Sequence, residues 1–174
     1  GMVHNGNVTN FAESRDEMSR GSHWHVNSSC DLEGILNVFG DEMAQQRIAD
    51  LQPEHVFQAI KGVFDRVKGA YSVAGIIAGE GMYAFRDPFG IKPIIAGSRE
   101  DEQGRVSWCV ASESVLMDIL DFHGTFDLAA GEALFIDLDG RVHRKQITHQ
   151  THTPCLFEWV YFARPDSFLD RVSV

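Results

Sequence analysis

The chain has 174 residues, of which 44% are hydrophobic and 23% charged, and its formal net charge at pH 7 is −10. This composition predicts one soluble globular domain spanning residues 1–174, with Gly1 as a remnant of tag removal. A surface this acidic repels nucleic acid and anionic membranes, so we expect neither as a partner. No stretch approaches the ~20 consecutive apolar residues of a membrane helix.

The first elements are short and separated by turn signals. Met2–His4 is a strand candidate, and Asn5-Gly6, the commonest tight-turn dipeptide, predicts a turn after it. A second interpretation of Asn5 and Gly6 is an oxyanion hole. In that arrangement a glycine N–H and an asparagine side chain both donate to the tetrahedral intermediate of amide hydrolysis.

The next segment predicts a helix and a short strand. Thr9 or Asn10 is placed to cap a helix that Gly21 would end. Residues 24–26 form a strand candidate.

Two amphipathic helices are predicted next. Asp31 is placed to cap the first, whose apolar positions have helical spacing: Leu32, Ile35, Leu36, Phe39 and Met43. Pro53 suits the first turn of the second helix, which has a similar stripe. A carboxylate at a pocket edge could also receive a ligand's ammonium group, and for Asp31 this role is compatible with capping.

The remainder is rich in strands. Strand candidates are residues 70–78, 82–85, 94–97, 106–111, 133–136, 142–144 and 157–162. Ser112 is placed to cap a short helix between them, and Asp139-Gly140 is a hairpin signal. Because helices come early and consecutive strands follow, the order predicts an α+β fold with a largely antiparallel sheet.

The turn between two of these strands is RDPFGIKP, residues 86–93. Its two prolines and one glycine fix a rigid connection. Arg86 and Asp87 more often pair within such a turn than carry out chemistry. We therefore interpret this motif as mainly architectural.

The three cysteines, Cys30, Cys109 and Cys155, are few, odd in number and far apart. They do not form a disulfide framework, and a reducing cytoplasm is the expected compartment. No CxxC or HxxxH spacing indicates a metal site. We therefore predict no metal and no cofactor in this chain.

Taken together, these motifs resemble the amidophosphoribosyltransferase family. The resemblance rests on motifs that occur in one order along nearly the whole chain: HNGNVTN (4–10), DLE (31–33), GAYSV (69–73), RDPFGIKP (86–93), VASES (110–114), GEA (131–133) and PCLFEWVYFARPDS (154–167). HNG and RDPFGIKP alone mark the wider class II glutamine amidotransferases. The long C-terminal motif is the specific one.

The resemblance implies an N-terminal-nucleophile hydrolase fold, an αββα sandwich of antiparallel sheets that is incomplete here because the first strands are missing. It implies that glutamine is hydrolysed and that the ammonia displaces pyrophosphate from phosphoribosyl pyrophosphate, opening purine biosynthesis. By position, Asn5 and Gly6 would form the oxyanion hole, and Asp31 would hold the glutamine amino group.

The sequence departs from the family at its start. The family nucleophile is a cysteine whose own α-amino group is the base. That cysteine, the loop for the glutamine carboxylate, and the phosphoribosyltransferase domain with its magnesium site are absent. We therefore expect this chain to be inactive alone, and we expect no iron–sulfur cluster at Cys155.

The missing strands should leave apolar surface uncovered, so we expect a homo-oligomer. Two alternatives stay open at this point. The chain could belong to another class II amidotransferase, such as an asparagine synthetase relative, or it could be a non-catalytic interaction module.

Overall fold

The computed structural model describes residues 1–13, 15 and 26–174. Residues 11–13 are helical, as predicted, but the predicted helix end at Gly21 lies outside the described residues. The predicted strand at 24–26 lies outside them too, except for Val26, which is not in a strand.

Three further helices are present within these described ranges: α1 Leu32–Gln45, α2 Pro53–Arg66 and α3 Ser114–Ile119. The first two begin where they were predicted to begin. Glu113, and not Ser112, holds the N-cap position of α3. In the part of the chain that the structure describes, no helix is long and apolar enough to cross a membrane.

Ten strands, counted over the described residues, form three antiparallel sheets. The strands are β1 Met2–Val8, β2 Gly69–Ile77, β3 Gly81–Arg86, β4 Ile95–Glu100, β5 Val106–Ala111, β6 His123–Asp127, β7 Glu132–Asp137, β8 Val142–Gln146, β9 Phe168–Leu169 and β10 Val172–Ser173. The large sheet has the order β1-β2-β3-β7-β8, and the small sheet has the order β5-β4-β6. The third sheet is the β9–β10 hairpin. β6, β9 and β10 were not predicted.

The elements stack as helices, large sheet, small sheet and helix. Helices α1 and α2 pack on one face of the large sheet, where Phe39 stacks on Tyr83 with ring centroids 4.8 Å apart. The other face packs on the small sheet through Leu134 and Ala96. Met117 of α3 covers the outer face of the small sheet. Each sheet face therefore buries the apolar half of an alternating strand pattern.

The predicted turn at Asn5-Gly6 is wrong, because β1 runs through both residues. All seven residues of β1 pair with β2, from Met2 opposite Gly75 to Val8 opposite Gly69. Gly6 has φ +155°, and a Cβ there would lie 2.1 Å from the Ala70 carbonyl oxygen. The glycine therefore serves a close approach between two strands.

The predicted strand at residues 157–162 is also wrong. Residues Glu158–Phe162 form a π-helical turn. The Glu158 side chain is buried and pairs with Lys92, whose ammonium also lies 4.8 Å from the centre of the Phe162 ring. This buried ion pair joins the π-helical turn to the RDPFGIKP motif.

Arg86 and Asp87 are both buried, and each is satisfied separately. Asp87 accepts hydrogen bonds from the backbone N–H groups of Phe89, Ile91 and Lys92. Burial raises the pKa of the Asp87 carboxyl. The motif is architectural as predicted, but Arg86 forms its ion pair outside the turn.

The partner of Arg86 is Asp170, at the tip of the β9–β10 hairpin. Both oxygens of this carboxylate accept hydrogen bonds from the guanidinium, which also donates to the carbonyls of Gly90, Lys92 and Leu128. We call this bidentate pair the Arg86–Asp170 clasp. It fastens the C-terminal hairpin to the middle of the chain.

Asp127 lies beside the clasp and supplies a pH-dependent contribution to stability. Its pKa is raised by burial and, secondarily, by the Asp170 charge. A carboxyl with a raised folded pKa stabilises the fold when protonated, and this contribution is lost as pH rises through that pKa.

We expect Asp127→Asn to be more stable than the native chain at pH 7, with the difference shrinking toward pH 4. The amide oxygen of the substituted side chain would still accept the backbone N–H of Asp170. Urea unfolding at both pH values measures the difference, and an equal difference at both would contradict this assignment.

Candidate functional site

The outer edge of β1 presents a row of backbone N–H groups. Gly1 and Ile76 exchange both of their N–H···O hydrogen bonds. Because such pairs alternate along an antiparallel ladder, the N–H groups of His4, Gly6 and Val8 point away from β2. Within the described residues, β1 is the outer strand of the large sheet. These three N–H groups are therefore available to side chains or ligands.

The Asp31 carboxylate accepts a hydrogen bond from one of these three N–H groups. It is at the N-cap of α1, but its side chain makes no capping hydrogen bond. Instead, its Oδ2 accepts the N–H of Val8 at 2.6 Å. Asp31 therefore occupies the predicted N-cap position, but its side chain does not cap the helix, because the carboxylate faces the edge of β1.

His4 contacts the other oxygen of the same carboxylate. Its Nε2 lies 3.2 Å from Asp31 Oδ1, and the two side chains are 12% and 20% exposed. The ring nitrogen is buried and is not aligned for a hydrogen bond, so the contact is electrostatic at this distance. His4 lies within the HNG motif, but no separate signal in the sequence marks it as a site residue.

Asn5 points to the opposite face of β1 from His4. Its backbone N–H pairs with β2, so only its side chain can serve as a donor. That side chain lines a cavity of about 180 Å³ between the two sheets. Ser72, Ile94, Val110 and Ser112 also line it.

The structure thus places the three predicted site residues on or beside β1. Gly6 offers a backbone donor at its outer edge, Asp31 a carboxylate that Val8 holds at the same edge, and Asn5 a side-chain donor on the face toward the cavity between the sheets. Donors of this kind stabilise negative charge that develops on a carbonyl oxygen. The carboxylate suits an ammonium group. The edge can therefore hold a ligand that carries both groups.

A larger cavity of about 560 Å³ lies near the clasp. Arg86, Asp127, Arg144, His152 and Asp170 are among its lining residues. Two of its arginines pair with carboxylates, in the Arg144–Glu132 and Arg86–Asp170 ion pairs. No group of three or more potential metal ligands occurs among residues 1–13, 15 and 26–174.

Comparison with known proteins adds to this geometry. The family model described as glutamine amidotransferase domain matches residues 1–118. This segment contains β1, both long helices and the edge residues described above.

Matches to whole relatives extend beyond residue 118. The chain is 42% identical over 174 residues to amidophosphoribosyltransferase from Escherichia coli and, over the same length, to that from Haemophilus influenzae. Each match covers 99% of this chain and 34% of the relative, so the chain spans about a third of the length of these relatives.

A solved structure has the same fold. Glutamine phosphoribosylpyrophosphate amidotransferase from Bacillus subtilis superposes with a TM-score of 0.75 at 24% identity, covering 99% of this chain and 34% of that one. The agreement covers the layers that place β1 beside α1.

Proposed function

We propose, because the chain belongs to the glutamine amidotransferase domain family, that its β1 edge binds glutamine. In this proposal Asp31 receives the α-ammonium group, and the Gly6 N–H and Asn5 side chain bind the side-chain carbonyl as it becomes an oxyanion. The observation that carries the proposal is the Asp31 carboxylate at the same strand edge as the Gly6 N–H. The neighbouring 180 Å³ cavity suits an amino acid better than a nucleotide.

We also propose that this domain serves an amidophosphoribosyltransferase. Residues 119–174 lie outside the family model, yet they match amidophosphoribosyltransferases along with the rest of the chain. This favours that enzyme over an asparagine synthetase relative. In the proposed reaction, ammonia from glutamine reaches a phosphoribosyltransferase domain, which uses it to make phosphoribosylamine. The reducing cytoplasm remains the expected location, and all three cysteines are unpaired.

We propose that the fold is of the N-terminal-nucleophile hydrolase type, and the layer order of helices, two sheets and helix supports this proposal. In such enzymes the nucleophile and its base belong to one N-terminal residue. Cys30, Cys109 and Cys155 are internal, so none of them carries a free α-amino group, and we expect no ammonia release from glutamine by residues 1–174 alone. A version extended at its N-terminus with a relative's segment that begins at cysteine should release ammonia.

The experiment compares the two chains in a coupled ammonia assay. Activity in the extended chain and none in the present one supports the proposal. Activity in the present chain would overturn the nucleophile assignment. No glutamine binding in either chain, measured by NMR titration, would overturn the site.

Self-association remains a prediction. Val3 and Ile76 are 66% and 62% exposed, and they line an apolar pocket on the inner face of β1 and β2. Burying this surface between two copies would remove apolar area from water. We expect light scattering to show a dimer at micromolar concentration, which a Val3→Lys change should dissociate. A monomer across that range would contradict the prediction.

A further inference from the structure

We propose that His4 is a positioning residue that makes the site select glutamine over asparagine. Together with the Val8 N–H, it holds the Asp31 carboxylate at a fixed separation from the Gly6 N–H. This inference rests on the proposed function, because it assumes that the two ends of the ligand bind at Asp31 and Gly6.

The anchoring of Asp31 is unusual for its position. An aspartate at a helix N-cap ordinarily accepts a hydrogen bond from the first turn of its own helix. Here the carboxylate turns to β1, where Oδ2 accepts the Val8 N–H and Oδ1 faces His4 Nε2. Val8 can hold one oxygen and leave the group free to rotate. The electrostatic contact with His4 holds the second oxygen and so limits the rotation of the carboxylate.

The strand itself sets the separation. Gly6 lies between His4 and Val8, and all three present their N–H groups at the same edge. Residues two apart in an antiparallel strand are about 7 Å apart. Because β1 pairs with β2 along its whole length, this spacing cannot relax easily. The Gly6 N–H, as donor to the carbonyl, and the Asp31 carboxylate, as acceptor for the ammonium, are thus kept at one fixed separation.

A fixed separation between the two binding groups discriminates between ligands of different length. Asparagine is one methylene shorter than glutamine, so it cannot reach both ends at once. A one-methylene difference in a fitted site is worth roughly 10- to 200-fold. If His4 is removed, the Val8 N–H alone holds Asp31, so the carboxylate can rotate and the fixed separation is lost. The free energy of unfolding should then change little, whereas the discrimination should fall.

The test is an NMR titration of the 174-residue chain with glutamine and with asparagine, following the backbone amides of Gly6 and Val8. In the native chain, glutamine should shift both amides, whereas asparagine should shift Val8 alone. His4→Ala should weaken glutamine binding about tenfold and bring the two dissociation constants together. His4→Gln, which keeps a polar N–H group near the position of Nε2 for the electrostatic contact with Asp31 Oδ1, should recover most of the discrimination.

The chain offers a matched control. His123 Nε2 also lies 3.2 Å from an aspartate, Asp121, but this pair is 75% and 80% exposed and far from the β1 edge. His123→Ala should therefore titrate like the native chain. Urea unfolding of each variant shows that it is folded. If His4→Ala does not fold, His4→Met replaces it in the test, because methionine keeps most of the side-chain volume but has no polar N–H group.

The outcomes separate the two proposals. A native chain that binds no glutamine overturns the proposed function and this inference with it. A native chain that binds glutamine, together with a folded His4 variant of unchanged discrimination, overturns the inference alone. Recovery by His4→Gln without recovery by His4→Met supports it.

Discussion

Gly6→Ala is expected to destabilise the fold by about 3 kcal/mol or more and to abolish glutamine binding. The added Cβ would lie 2.1 Å from the Ala70 oxygen and 2.6 Å from the Tyr71 Cα. Both are backbone atoms, so β1 must separate from β2 to make room. The separation would also displace the Gly6 N–H. Urea unfolding and glutamine titration measure the two effects.

Gly79→Ala is the matched control. Gly79 has φ +79°, and a Cβ there would meet nothing within 4 Å. Its expected cost is about 1 kcal/mol, from backbone strain alone. Equal costs for the two variants would show that the contact with Ala70 is not what requires glycine at position 6.

Arg86→Met is expected to cost about 3–5 kcal/mol. The change leaves the Asp170 carboxylate and the carbonyls of Gly90, Lys92 and Leu128 without their common donor. Arg86 is 1% exposed, so water cannot replace the guanidinium. Urea unfolding measures the change in the free energy of unfolding. Hydrogen exchange should also show a loss of amide protection across residues 168–173.

Arg105→Met removes a comparable but exposed pair. Arg105 donates to Asp101 at 2.7 Å, and the arginine side chain is 78% exposed. Such pairs contribute about 0–1 kcal/mol. A cost for Arg86→Met that is no larger than this would contradict the role of the clasp.

The sequence predicted the elements whose patterns are local. The stripes of α1 and α2, the hairpin at Gly140 and most strands of the large sheet are confirmed. β6 was missed because its residues are mostly exposed and lack an alternating apolar pattern. Leu36 was placed on the buried stripe but is 42% exposed, because the core-facing side of α1 centres on Ile35, Val38 and Phe39.

The errors have a common physical origin in long-range contacts. Asn5-Gly6 has the composition of a turn, but Gly6 meets a strand that is more than 60 residues away in the sequence. The aromatic segment 157–162 has high strand propensity, but the buried Lys92–Glu158 pair decides its path. The candidate site shares this dependence. Asn5, Gly6 and Asp31 were candidates from their residue types, and the family resemblance favoured their functional roles, which remain proposals. The His4–Asp31 contact is visible only in the folded structure.

The Arg86–Asp170 clasp also determines how the chain responds to mechanical load. It joins residues 84 apart in the sequence, and Val174 donates its N–H back to the Ser167 carbonyl next to the same hairpin. A tension applied at Val174 therefore falls first on the clasp and on the hydrogen bond from the Phe168 N–H to Ser114. The β1 edge lies in a different sheet from the hairpin. The molecule can thus be pulled or tethered at Val174 while the β1 edge stays unloaded.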